Sequence, residues 1–328
     1  MDQSAGERVS PAFLSFTADI LAMKIKDGAG YRLRKDLLPY ITHQRSEASV
    51  KKKGLINKII SFLALLCGII ALSYPHISQY FSEKNSTRAT DEYAQKMQQM
   101  TEEKQREMWK EAEEYNENLT GSPVHDPFIP GSGVVMPDNY YKVLNVGGIM
   151  AAIEIPKINV KLPIYHGTSE KVLNKAAGHM EGSTLPIGGK GRHSVITGHT
   201  GLVHAKIFTD LTELTEGDRF YLKVLGETLA YEVDDITVID PAETEQLSVV
   251  EGEDYVTLLT CTPYGVNSHR LLVRGKRTAY DPSKKESPKR GVTTEQQLLL
   301  RIGLTTAGIV VGAIVFFEVL QKRKAKRR

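Results

Sequence analysis

Cys261 ends the run TLLTC, and the next residues, Thr-Pro-Tyr-Gly, break from any strand at once. A thiol is a small hydrophobe when buried and a strong nucleophile when ionised, and the second role requires a nearby cation or base. Nine residues on, Arg270 opens the run RLLVRGKR. If the intervening PYGVNSH is a loop, two strands lie side by side with Cys261 and Arg270 at the same end. An arginine there stays charged at any relevant pH, and its fork of donors suits a substrate carbonyl or a developing oxyanion. Arg274 shares the face of Arg270 by strand periodicity and is its rival. A base is offered by His199 in HSVITGHTG, where flanking glycines allow a tight turn that exposes the imidazole. His204 and His269 compete for that role. No HExxH or CxxC pattern occurs, which argues against a zinc site.

These residues need strands to position them. From 145 to 280 the chain consists of short β-branched runs separated by turn residues: IMAAIEIPKINVKLPIY, HSVITGH, DRFYLKV, LAYEVDDITVID, DYVTLLTC and HRLLVRGKR. That texture predicts a closed barrel or sandwich, not a parallel α/β sheet. Upstream, residues 91 to 119 lack Pro and Gly and place Tyr93, Met97, Met100, Met108, Ala112, Tyr115 and Leu119 on one helical stripe, expected to pack against the barrel. FLSFTADILAMKIK near the N-terminus has the spacing of a short amphipathic helix. GSPVHDPFIPGSG, Gly121 to Gly133, reads as a breaker-rich linker.

The chain has 328 residues, 41% hydrophobic and 25% charged, with a net charge of only +3, so it is foldable and long enough for one substantial domain with tails. Its basic residues crowd two places: Lys51, Lys52, Lys53 and Lys58 at the start of one apolar run, which Lys58 interrupts, and KRKAKRR at the C-terminus after another. No stacking aromatics interleave with them, so a membrane boundary explains them better than a nucleic acid. The apolar runs, 55–74 and 298–320, are long enough to cross a bilayer when end charges snorkel. Basic flanks place both termini in the cytoplasm and the intervening region outside. Cys67 falls inside the first run, which leaves Cys261 alone in an oxidising compartment without an intrachain partner. It is there a buried hydrophobe, an intermolecular bridge or a nucleophile.

TLLTC followed by HRLLVRG, with TGHTG upstream, resembles the signature set of the sortases, the Gram-positive cysteine transpeptidases. Thr257, Leu258, Thr260 and Cys261 match the TLxTC pattern, and the likeness covers roughly Asn145 to Tyr280. It implies a mainly β fold, a closed eight-stranded barrel, here with an N-terminal helical segment and two flanking transmembrane helices. It assigns Cys261 as nucleophile, His199 as general acid or base, and Arg270 as the substrate and oxyanion stabiliser. His125-Asp126-Pro127-Phe128 resembles the lid of the pilus-assembling class C sortases, with the Asp126 carboxylate near Arg270, the Phe128 ring over the thiol and Pro127 stiffening the segment. The chain then divides into a cytoplasmic segment 1–54, a span 55–74, a helical segment and lid 75–144, the barrel 145–280, a linker 281–297, a second span 298–320 and a basic tail 321–328.

The function so implied is cleavage of an LPxTG-like sorting signal between Thr and Gly and transfer of the acyl group to a pilin lysine, with no metal or organic cofactor. The expected partners are surface-protein and pilin substrates and the membrane. A housekeeping sortase that uses a cell-wall precursor, a membrane-anchored cysteine peptidase, and a non-catalytic surface scaffold are the alternatives.

Overall fold

The computed structural model describes residues 26–27, 30–31, 38–119, 125–129, 136–284 and 294–325. They belong to two units, Met1–Ile70 and Ala71–Arg328. The first holds a short ribbon, β1 (Lys26–Asp27) against β2 (Gly30–Tyr31), and the start of helix α1 (Leu38–Gln99). The expected amphipathic helix before Lys26, and residues 121–124 and 130–133 of the expected linker, lie outside the described residues.

Helix α1 does not stop with the apolar run at Tyr74. It continues through Pro75 to Gln99, so residues 75–90, which have no apolar run of their own, are helical too. Nor is 91–119 one helix. The chain breaks at Met100–Thr101 and restarts as α2 (Glu102–Asn118), where the Thr101 hydroxyl accepts the Lys104 N–H at 3.3 Å and Glu102 and Glu103 complement the positive helix end. The stripe read from the sequence survives the break: Tyr93, Met97, Met108, Ala112 and Tyr115 are all buried in the main core. Among the described residues, Ile59–Gln99 contains a stretch apolar enough to cross a membrane, and Leu299–Ala313, within helix α4 (Thr294–Ala325), is a shorter apolar stretch.

The second unit is built on eight strands: β3 (Ala151–Ile155), β4 (Val160–His166), β5 (Ala177–His179), β6 (Arg192–Thr197), β7 (Arg219–Val224), β8 (Glu227–Ile239), β9 (Asp254–Thr262) and β10 (His269–Thr278). They close into a barrel in the order β10-β8-β7-β3-β4-β5-β6-β9, which abolishes exposed edges. IMAAIEIPKINVKLPIY is thus two strands, parted by a single 3-10 turn, Pro156–Ile158. A helix of one turn, α3 (Glu170–Leu173), links β4 to β5. β7 and β8 are joined by only Leu225 and Gly226, both at positive φ (45° and 86°), the backbone of a primed hairpin turn. Leu225 adopts it despite its branched side chain because it is buried and its N–H donates to the Tyr93 hydroxyl at 3.0 Å. Helix α1 therefore braces a strained turn of the barrel.

Alternation along the strands separates two apolar clusters. Ile196, Val256, Leu258, Leu271 and Val273 point into the barrel and join the main core. Their neighbours Val195, Leu259 and Leu272 point outward and form, with Met180, Ile239 and Leu247, a second, smaller cluster on the outer wall. Cys261 shares the parity of Leu259, and Arg270 that of Leu272. The thiol and the guanidinium belong to the outer wall, not to the barrel interior.

Candidate active site

Three adjacent strands bring the predicted residues to one level. β9 is the centre: in the antiparallel β9–β10 ladder Cys261 stands directly opposite Arg270. On the other side β6 runs parallel to β9, pairing Val195 with Thr257 and Thr197 with Leu259. Advancing both strands by two residues carries His199 to the level of Cys261. The backbone continues that pairing past the strand end: the Gly198 N–H donates to the Leu259 carbonyl at 3.1 Å, and the Thr260 hydroxyl donates to the Gly198 carbonyl at 2.8 Å. Imidazole, thiol and guanidinium thus form a row across β6, β9 and β10.

Each is held by neighbours that sequence spacing does not reveal. The Phe208 N–H donates to the His199 carbonyl at 3.0 Å, closing the loop that follows β6. Gly198 is needed there for space: a Cβ would lie 2.7 Å from the Ile207 side chain and 2.8 Å from the Phe208 ring. The expected tight turn belongs instead to Gly201, at φ +76°. Arg270 is buried, and its Nη1 donates to the carbonyls of Asn267 and His269, both at 3.1 Å, which aims the guanidinium back over the β9–β10 end. The rivals are engaged elsewhere. Arg274 donates twice to Asp234, at 3.1 and 3.0 Å, and covers the Tyr255 ring. The His204 ring bonds the Asn174 carbonyl at 2.9 Å, and His269 lies near Ser268 and Asp240 on the surface.

Residues 125–129 cross this row. Asp126 Oδ2 lies 2.6 Å from Arg270 Nε, and both side chains are almost fully buried, 2% and 6% exposed. Its Oδ1 accepts the Phe128 N–H at 2.8 Å, and its carbonyl accepts the Ile129 N–H at 3.3 Å, so Asp126-Pro127-Phe128 is a compact turn around its own carboxylate. The Phe128 ring packs on the outer apolar cluster. It is 5.1 Å from the His199 ring and 5.1 Å from the Arg270 guanidinium carbon. The ring expected over the thiol thus touches the two groups that flank it.

Burial and the surrounding charges set the protonation of the row. Burial pushes the Cys261 thiol up to about 11; Arg270 opposes that, and the Asp126 carboxylate adds to it. Burial holds His199 below its ordinary value of 6.5, with Glu170 raising it and His204 lowering it. Near neutral pH the pair is a thiol and a neutral imidazole. A cysteine in this state is protected from oxidation and weakly nucleophilic. Among the described residues no grouping of three or more His, Cys, Asp or Glu is arranged to hold a metal ion.

Known proteins share this fold. The Sortase domain family profile matches residues 153–278. The crystal structure of sortase C-1 from Actinomyces oris is 49% identical, superposes with a TM-score of 0.53, and is covered to 99% of its length by 54% of this chain. The chain belongs to the sortase family, class C. Sortase C of Streptococcus pneumoniae, whose structure bears on catalysis and pilin substrate specificity, is 44% identical at a TM-score of 0.55, with 59% of this chain covering 97% of that one. Sortase A of Bacillus anthracis is 28% identical over 230 residues, 68% of this chain and 95% of that protein. This class C sortase is a cysteine transpeptidase. The cover and the helical segment lie outside residues 153–278, which the family profile matches.

Proposed function

We propose that this enzyme polymerises pilin subunits on the outer face of a Gram-positive cell, anchored by apolar segments at both ends of its exofacial part. The observation that carries the chemistry is the row His199, Cys261, Arg270 at one end of three adjacent strands. Cys261 gives its thiol proton to His199 and attacks the Thr carbonyl of an LPxTG-like sorting signal, and the Arg270 guanidinium stabilises the oxyanion. His199 gives a proton to the departing Gly amine, leaving a thioester. The lysine amine of another pilin, deprotonated by His199, then attacks the thioester, and an isopeptide bond replaces it. The acyl energy is kept in the thioester, so no nucleotide is consumed. The outer apolar cluster, Met180, Val195, Leu247, Leu259 and Leu272, is the floor on which the apolar residues of the signal lie.

The same floor is covered by Phe128, so cover and signal compete for it. A buried ion pair returns little more than the desolvation of its charges, and one half-buried ring adds a modest apolar gain. Together these favour the closed form by on the order of 3 kcal/mol, a ratio of about 10², which substrate binding can reverse. Opening frees Arg270 from Asp126 just when a carbonyl oxygen needs it.

The test is ligation. The full chain in detergent, given a sorting-signal peptide and a lysine-bearing pilin, is expected to yield the isopeptide-linked product, and Cys261→Ala none. Hydrolysis without ligation would place it with peptidases. Ligation to a cell-wall amine in preference to pilin would make it a housekeeping enzyme.

A further inference from the structure

We propose that the catalytic end of the barrel is a lipid-contacting surface, resting on the bilayer so that the cleft of Cys261 opens at the membrane interface. This rests on the reading of 55–74 as a span. The apolar run ends at Tyr74, with Pro75 next in the helix. Ser78 follows four residues later, about 6 Å along the axis. Its hydroxyl donates to the His204 carbonyl at 3.4 Å, and the Gln79 side chain donates to the Val203 carbonyl at 3.2 Å. The loop that carries His199 is thereby fastened to α1 about one turn beyond the end of the apolar run. This loop meets the β9–β10 loop, because the Tyr264 ring lies over Gly201, 3.2 Å from where a Cβ would stand.

This surface exposes large apolar side chains beside the polar Asn267, Ser268 and His269. Ile77 and Phe81 on the helix are 39% and 55% exposed, Val203 is 58%, and Tyr264 and Val266 are 69% and 70%. Apolar residues gathered at one end of an extracellular domain mark a contact. The short reach to the span selects the partner: about 6 Å is less than the roughly 10 Å diameter of a single helix, so no folded protein layer fits between. Tyr and Phe among aliphatics, with Phe81 about two turns from the span, suit the headgroup boundary. A peptide bond held close to the bilayer by its own anchor is then within reach of Cys261, and one presented from solution is disfavoured.

Tryptophan quenching tests this in the full chain, reconstituted in phosphatidylglycerol and phosphatidylethanolamine vesicles with acyl chains brominated near the headgroup. The chain has one tryptophan, Trp109. It lines a cavity with Gly188, Arg192 and Arg277, at the other end of β6 and β10, and serves as the distant reference. Val266→Trp in a Trp109→Phe background is expected to lose at least about half its emission, in low or high salt, and Trp109 itself little. Quenching at Val266→Trp no greater than at Trp109, in a chain that floats with the vesicles, overturns this proposal alone; a chain that does not float overturns the span reading with it. In a second measurement, Val203→Asp with Val266→Asp is expected to keep cleavage of a soluble signal peptide and to lose about tenfold on a bilayer-anchored one. Equal rates on both, relative to wild type, would also overturn it. Cleavage of the soluble peptide reports separately on the proposed chemistry.

Discussion

Asp126 does two things to Cys261. It occupies the guanidinium that otherwise stabilises a thiolate, and its own negative charge raises the thiol further, within a site whose burial already takes it to about 11. Both effects run in one direction. Replacing Asp126 with Ala lowers the thiol pKa, and Phe128→Ala opens the cleft to reagent. In the wild type, alkylation of Cys261 is expected to climb with pH up to about 11. In Asp126→Ala the climb begins at lower pH, and labelling at pH 8 is faster by about tenfold for every pH unit by which the thiol becomes more acidic. Stopped alkylation followed by intact mass measures this. Labelling rates that match wild type from pH 6 to 10 would remove the covering role. The Cys261 and Arg270 pairing was legible in the sequence as two strand-like runs joined by a short loop, which in the structure is the six residues Pro263 to Ser268. The position of Phe128 was only partly so, since a ring can lie over any of three neighbouring groups.

β6 and its following loop set the imidazole, and their tolerance is small. Gly198 has backbone angles any residue can adopt, yet a methyl group there meets Ile207 and Phe208 at under 3 Å. Gly198→Ala is therefore expected to push the 199–208 loop away from β9. A stability loss of about 1–3 kcal/mol by chemical denaturation, typical of overpacking, should accompany a fall in thioester formation measured at saturating peptide. Full stability with lost activity would mean that the loop moved without strain; full activity would show that His199 does not depend on this contact. The strand runs themselves could be read from β-branched texture. The outer apolar floor could not, because Met180, Val195, Ile239, Leu247, Leu259 and Leu272 come from separated segments and only the closed barrel gathers them. The helix break at Thr101 was hidden for a different reason: the apolar stripe keeps its spacing across the break, and the capping Thr is followed by strong helix formers.

Buried histidines give the molecule an acid limit. His179 is fully buried among Tyr140, Ser183 and the Thr184 carbonyl, and burial lowers it from 6.5 to about 4; His166 and His193 are lowered by burial as well. The unfolded chain takes up these protons near pH 6.5 and the folded chain only at lower pH, so unfolding is favoured as pH falls through that interval. The contribution from His179 is whole above about pH 6.5 and is lost progressively towards pH 4, up to about 3 kcal/mol. Denaturant midpoints at pH 7.5 and 4.5 should show that loss, and His179→Gln should shrink the pH dependence whatever it does to absolute stability. An unchanged slope would assign the acid limit to other groups. A different consequence follows from the place of β9, between a parallel neighbour made earlier and an antiparallel one made next. Synthesis delivers imidazole, thiol and guanidinium in that order, and the row exists only once Arg270 has emerged and β9 has inserted. A chain cut short before β10 is then expected to be inert rather than promiscuous, and the cell is spared an acyl transferase working at half-built sites during synthesis.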